Sequence, residues 1–258
     1  MSTFEEELIK IEPVLSRLRK ISLFGKKIIL EGEENLINKG PNLIVGNHIG
    51  SYKDIAVLFE IIPRPIFFTA NRMIFSKKEF NFLIKKHLRK HLKDLGVFFY
   101  RLFTPLRMYF VEFISTNITG VGTIPVNLEG SKKHAIIKCQ EYVENGKAVI
   151  LLHGTGRIIK SNPNPYVSSF RRGPSIISYN LFKEKGISVP VTPIAMFGTH
   201  LPFLIPMKIK VRVGKPMFIK DYLTDNFDES VIRFRNAMEK RVRMLLYELV
   251  NPSVSFRI

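Results

Sequence analysis

Apolar positions along this chain fall into two rhythms. Short apolar runs bounded by Gly, Pro or Asn recur at residues 27–32, 43–45, 65–70, 122–128, 148–152 and 189–195. Runs of that length, rich in Ile and Val, predict strands. Ile209, Val211 and Val213 alternate with Lys208, Lys210 and Arg212, the period of a half-exposed strand. Between these runs, apolar residues three and four apart predict helices. Ile55, Leu58, Phe59 and Ile62 form one such set, and Phe80, Ile84, Leu88, Leu92 and Leu95 another. Residues 135–145 and 175–182 read as further helices. Val231, Phe234, Met238, Val242, Leu245 and Leu249 predict a long C-terminal one. Strands alternating with helices imply an α/β fold, a central, mostly parallel sheet flanked by helices. An amphipathic N-terminal helical element is expected at 1–26, where Phe4, Leu8, Ile11, Leu15 and Leu18 keep helical spacing around Pro13. The α/β domain then occupies 27–258, with a basic and aromatic helical insertion at about 76–115.

The most chemically suggestive stretch runs Asn42-Leu43-Ile44-Val45-Gly46-Asn47-His48-Ile49-Gly50-Ser51-Tyr52-Lys53-Asp54. It reads as a buried strand, a polar turn and a helix. Ser51 and Asp54 match the Ser-x-x-Asp pattern of a capping box. His48 therefore falls in a strand-to-helix turn, where α/β folds place their chemistry. A neutral His can take a proton from a hydroxyl, and a nearby carboxylate can hold its ring. On the residues alone, Asp54 either orients His48 or only caps its helix.

Asn-His followed by Ser-x-x-Asp resembles the signature of the PlsC-type glycerophospholipid acyltransferases. The resemblance implies that His48 is a general base on an acceptor hydroxyl and that Asp54 supports it. The family has four residues between His and Asp, and this chain has five. Gly50 is expected to absorb the extra residue as a bulge, since Gly takes positive φ cheaply. Asn47, Ser51 and His153 are expected to line the pocket.

Three further blocks carry the resemblance, which spans about residues 31–214 in the right order. Gly122-Thr123-Ile124-Pro125-Val126-Asn127-Leu128 is similar to the family's second block, with Leu128 where the family has a phosphate-binding Arg. Lys132 and Lys133 are the nearest cationic substitutes; the alternative is that they are solvated helix-start lysines. His153-Gly154-Thr155-Gly156-Arg157 resembles the third block, with His153 in place of Glu and Arg157 one residue late. Gly154, Thr155 and Arg157, with Arg171 and Arg172 from a Phe-Arg-Arg-Gly segment, are the implied acceptor-phosphate set. Val189-Pro190-Val191-Thr192-Pro193 is similar to the fourth block, whose prolines are expected to shape a strand edge near the acyl channel.

Composition narrows the remaining choices. A 45% hydrophobic chain of 258 residues can build a sizeable core. Cys139 is the single cysteine, so no internal disulfide forms, which suits a reducing compartment. The first residues are acidic and polar, without the apolar core of a signal peptide. The net charge of +18 attracts anionic membranes, nucleic acid or acidic carriers. No stretch has the roughly 18 nearly uncharged apolar residues of a membrane span. From 76 to 95 there are seven Lys/Arg and two Asp/Glu, followed by an aromatic-rich segment at 97–114. That pairing predicts an interfacial membrane element; the alternative is a solvated basic face beside an ordinary core helix.

The expected location is cytoplasmic, peripheral on the inner face of a membrane. The resemblance implies transfer of a fatty acyl group from an acyl thioester to a lysophospholipid or related hydroxyl. Acyl-CoA or acyl carrier protein is the co-substrate, with no cofactor and no metal. The partners expected are an anionic membrane surface and a lysolipid acceptor, with no specific nucleic acid. A catalytically silent, lipid-binding relative is the alternative. A serine hydrolase is disfavoured, because no Gly-x-Ser-x-Gly elbow occurs.

Overall fold

The computed structural model describes residues 12, 16, 19, 20, 22–120, 122–127, 130–158, 164–201 and 206–251. Most of the expected N-terminal helical element lies outside these residues, as does Leu128. Among them the elements run β1 (Lys26–Glu31), β2 (Asn42–His48), α1 (Tyr52–Ile61), β3 (Ile66–Asn71), α2 (Lys77–Leu102), α3 (Thr104–Asn117) and β4 (Thr123–Val126). Then come α4 (Lys133–Glu144), β5 (Ala148–Gly154), α5 (Gly173–Lys185), β6 (Val191–Phe197), β7 (Met207–Val213) and α6 (Phe227–Val250). The chain divides into two compact units, a smaller one built on Phe67–Ala135 and a larger one on Val14–Ile66 with Ile136–Ile258.

In the larger unit the strand order is β1-β7-β6-β2-β5. β2 lies at the heart of it, parallel to both β5 and β6, with Leu43 opposite Val149 and Val191. β7 joins β6 antiparallel, and β1 pairs parallel with β7. The sheet is mostly parallel, as the strand and helix alternation predicts. Leu43, Ile44, Val45, Val149 and Ile150 are all buried, which is why these strands read as unbroken apolar runs. β7 alternates because only one of its faces is covered: Ile209, Val211 and Val213 are buried, and Arg212 reaches out to bond Glu31 at 2.7 Å.

β6 is an interior strand, with Pro193 inside it and Pro190 just before it. Pro193 is opposite Val45 of β2, and the antiparallel ladder to β7 begins one residue later, at Ile194 opposite Val213. The missing N–H of Pro193 therefore costs no ladder bond on the β7 side. Its carbonyl accepts from the Gly214 N–H at 2.8 Å.

Helix α6 follows its sequence pattern closely. Asn226 caps it by accepting from the Glu229 N–H at 3.0 Å. Val231, Phe234, Met238, Val242, Leu245 and Leu249 are all buried, and α6 packs on β6 and β7. Cys139 of α4 is buried, and burial pushes its thiol up to about 12, so it is a core residue without reactive character.

In the smaller unit β3 and β4 pair parallel, with Phe68 opposite Thr123. The aromatic-rich segment at 97–114 is divided between two helices. Its first part ends α2, the chain breaks at Phe103, and α3 starts afresh with Pro105 in its first turn. α2 itself bends at Lys93, whose φ is 49° and ψ −124°.

Candidate active site

The site grows from the end of β2. His48 is the last residue of that strand, and only Ile49, Gly50 and Ser51 separate it from α1. Asp54, in the first turn of α1, is fully buried. Its Oδ2 accepts the Ile49 N–H at 2.9 Å and the Gly50 N–H at 2.8 Å, and lies 2.8 Å from His48 Nδ1. Three donors converging on one carboxylate oxygen lock both the turn and the imidazole. An ionised carboxylate can only accept, which assigns the His48 proton to Nδ1 and leaves Nε2 with a free lone pair. About a quarter of the His48 side chain is open to solvent, at 26% exposure.

This geometry corrects two expectations. Ser51 occupies the N-cap position but makes no capping hydrogen bond, and Asp54 serves the turn and His48 in place of a capping box. The extra residue is absorbed at Ser51, which takes φ 56° and ψ −127°, and not at Gly50. Gly50 is required for space instead. A Cβ there would lie 2.4 Å from the Thr199 side chain.

The register of β2 on β5 brings the first and third sequence blocks together, with His48 opposite Gly154. The Gly156 N–H donates to the His48 carbonyl at 3.2 Å. A Cβ on Gly154 would meet that carbonyl oxygen at 2.4 Å. At Gly156, φ is +73°, and a Cβ would stand 3.4 Å from His48 Nε2. The two glycines thus let the loop pass directly against the histidine.

Beside them lies an open cavity of about 310 Å³, lined by the turn from Ile49 to Lys53, by Gly156, Arg157 and Ile158, and by His200. Ser51 and Arg157 line it; Asn47 and His153 do not. Asn47 is wholly buried and extends the β2–β6 pairing where its ladder ends. Its amide donates to the Met196 carbonyl at 2.9 Å and to that of Tyr166 at 3.2 Å, and accepts the Met196 N–H at 2.8 Å. His153 is also buried, its ring edge-on to Phe170 with centroids 3.9 Å apart. Burial first, and then the neighbouring Arg171 and His48, lower it to about 3, so it stays neutral.

The cationic residues divide. Arg157 and Thr155 are exposed on the loop after β5. Arg171 is close enough to act on His153. Arg172 makes an exposed ion pair with Asp228 at 2.8 Å. Lys132 and Lys133 are exposed at the start of α4 in the smaller unit.

Sequence reasoning missed Lys53 and His200. Lys53 is buried under the turn, its ammonium donating to the Leu201 carbonyl, and burial followed by Lys26 lowers its pKa. His200 is lowered too, by burial and then by Lys53. Among the described residues no group of His, Cys, Asp and Glu side chains is arranged to hold a metal ion.

The fold and the site together define an α/β protein with a histidine–carboxylate pair at the C-terminal end of a central parallel strand, beside a glycine-rich loop. No family model matches the chain, and no curated protein matches it in sequence. A solved structure does match: the 1-acyl-sn-glycerophosphate (LPA) acyltransferase PlsC from Thermotoga maritima. The TM-score is 0.55 at 20% identity, over 97% of this chain and 85% of that one. The likeness shows that the two share a fold. Among the described residues no helix is long and apolar enough to cross a membrane.

Proposed function

We propose that the protein transfers a fatty acyl group from an acyl thioester to the hydroxyl of a lysophospholipid or related lipid acceptor. The observation that carries this reading is the 2.8 Å bond from His48 Nδ1 to the buried Asp54, beside an open cavity. Fold likeness to an acyltransferase that acts on lysophosphatidic acid supports the same substrate class.

In this mechanism Nε2 of His48 removes the acceptor hydroxyl proton as the oxygen attacks the thioester carbonyl. The carbonyl becomes a tetrahedral oxyanion, stabilised by backbone N–H groups. Its collapse forms the ester and breaks the C–S bond, and the leaving thiolate takes the proton back from Nε2. Asp54 holds Nδ1–H throughout and steadies the imidazolium. Arg157 and Arg171, with the backbone of Gly154 and Thr155, bind the acceptor's anionic headgroup. His153, neutral and buried against Phe170, moves no proton. The donor is acyl-CoA or acyl carrier protein.

The test is acyl transfer by the purified protein, with labelled donors of both kinds and a panel of lysolipids including lysophosphatidic acid. Transfer to at least one acceptor is expected. No transfer with any pair would leave a fold without the activity, a lipid-binding protein only.

A further inference from the structure

From 95 to 110 the smaller unit departs from the normal rule of burial. Eight large apolar side chains in these residues are exposed: Leu95, Phe98, Leu102, Phe103 and Leu106, with Met108, Tyr109 and Phe110 beside them. Tyr109 is 72% exposed and Leu106 67%. Of the two charged residues in the same stretch, Arg101 is exposed and Arg107 is turned inward. Arg107 is half-buried, its guanidinium 3.5 Å from the centre of the Tyr100 ring. Its Nε donates to Asn81 Oδ1 at 3.1 Å. Val111 and Phe80 are buried on the inner side. The end of α2 and the start of α3 thus carry apolar side chains on their outer side as well as their inner one. A cluster of this kind marks a contact surface, since single exposed apolar residues are common but contiguous ones are not.

Charge identifies what it contacts. Residues 77–117 carry nine Lys/Arg and three Asp/Glu. Lys85, Lys86, Arg89, Lys93 and Arg101 are exposed on α2. A second copy of the chain would bring like charges together on this face. Nucleic acid would satisfy the cations and leave the apolar side chains in water. An anionic lipid bilayer answers both, with headgroups for the cations and acyl chains for the apolar side chains.

We propose that the end of α2 and the start of α3 form a monotopic docking surface for anionic bilayers. Leu102, Phe103, Leu106 and Tyr109 enter the acyl boundary, and the basic residues of α2 lie at headgroup level. This inference stands apart from the acyl-transfer reading, and its test measures no turnover.

The chain has no Trp, so Leu106→Trp in the full-length protein is a single fluorescent reporter. Vesicles of phosphatidylserine mixed with phosphatidylcholine are expected to shift its emission to the blue, and brominated acyl chains to quench it. Cosedimentation of the Leu102→Asp, Leu106→Asp double variant with the same vesicles should fall by more than about tenfold, since two charges replace apolar contacts. Lys85→Glu with Lys86→Glu should weaken binding most at low salt. His48→Ala should bind like the wild type, which separates docking from chemistry. Unshifted Trp emission with vesicles, or undiminished binding by the aspartate variant, would overturn the proposal. So would a lipid-independent Trp shift that grows with protein concentration, which would assign the surface to a second copy.

Discussion

Helix α6 and the α2–α3 region have similar apolar richness and opposite fates. In α6 the apolar positions recur at helical spacing, and every one of Val231, Phe234, Met238, Val242, Leu245 and Leu249 is buried against the sheet and its surroundings. In the α2–α3 region Leu95, Phe98, Leu102, Leu106 and Tyr109 are also three or four residues apart, and all are exposed. Periodicity identifies the side of a helix that needs a partner. It does not say whether the partner is the protein's own core or something outside it.

The contrast can be tested by substitution, beginning with the largest effect. Phe234→Ala opens a cavity in the α6 packing and should cost about 3–5 kcal/mol in denaturant unfolding. Asn47→Ala strips the buried partner from the Met196 N–H and carbonyl at the end of β2. It should cost about 2 kcal/mol by the same measurement, with no replacement polar contact nearby. Leu106→Ala removes a side chain of similar apolar character from the exposed region and should change stability by less than about 0.5 kcal/mol.

Acidification probes burial through charge. His153 is held at about 3 in the fold, below its ordinary value of 6.5. Between those pH values the unfolded chain binds a proton that the folded one refuses. Stability from this group is therefore complete above pH 6.5 and falls as pH drops toward 3, at about 1.4 kcal/mol per pH unit. His200 is also lowered and acts in the same direction. His153→Gln should flatten the acid limb of the stability–pH curve by about one proton's slope, and an unchanged slope would contradict its burial as a neutral ring.

The legible parts of the molecule were those set by local pattern. The apolar runs marked β2, β5 and β6 because both faces of those strands are covered, and the stripe of α6 marked its buried side. His48 and Asp54 were legible because six positions across one turn suffice to bring them together. What could not be read depends on partners far along the chain. Asn47 is a bridge only because Met196 lies beside it, 149 residues on. Arg172 finds its partner in Asp228, 56 residues later. His200 enters the cavity from the loop after β6, with no local motif to announce it. Gly50 is needed because Thr199, 149 residues on, leaves no room there for a Cβ, a closeness that local spacing does not encode.

The central claim is that His48, held by Asp54, is the base for acyl transfer. Its most direct test is kcat for the wild type, His48→Ala and Asp54→Asn, with saturating donor and the best acceptor from the lysolipid panel. Loss of the base should lower kcat by about 10³-fold. Asp54→Asn should lower it too, because the amide no longer fixes the Nδ1 proton. A His48→Ala variant that keeps kcat within about tenfold of the wild type, below even the smallest usual contribution of a general base, would contradict the account.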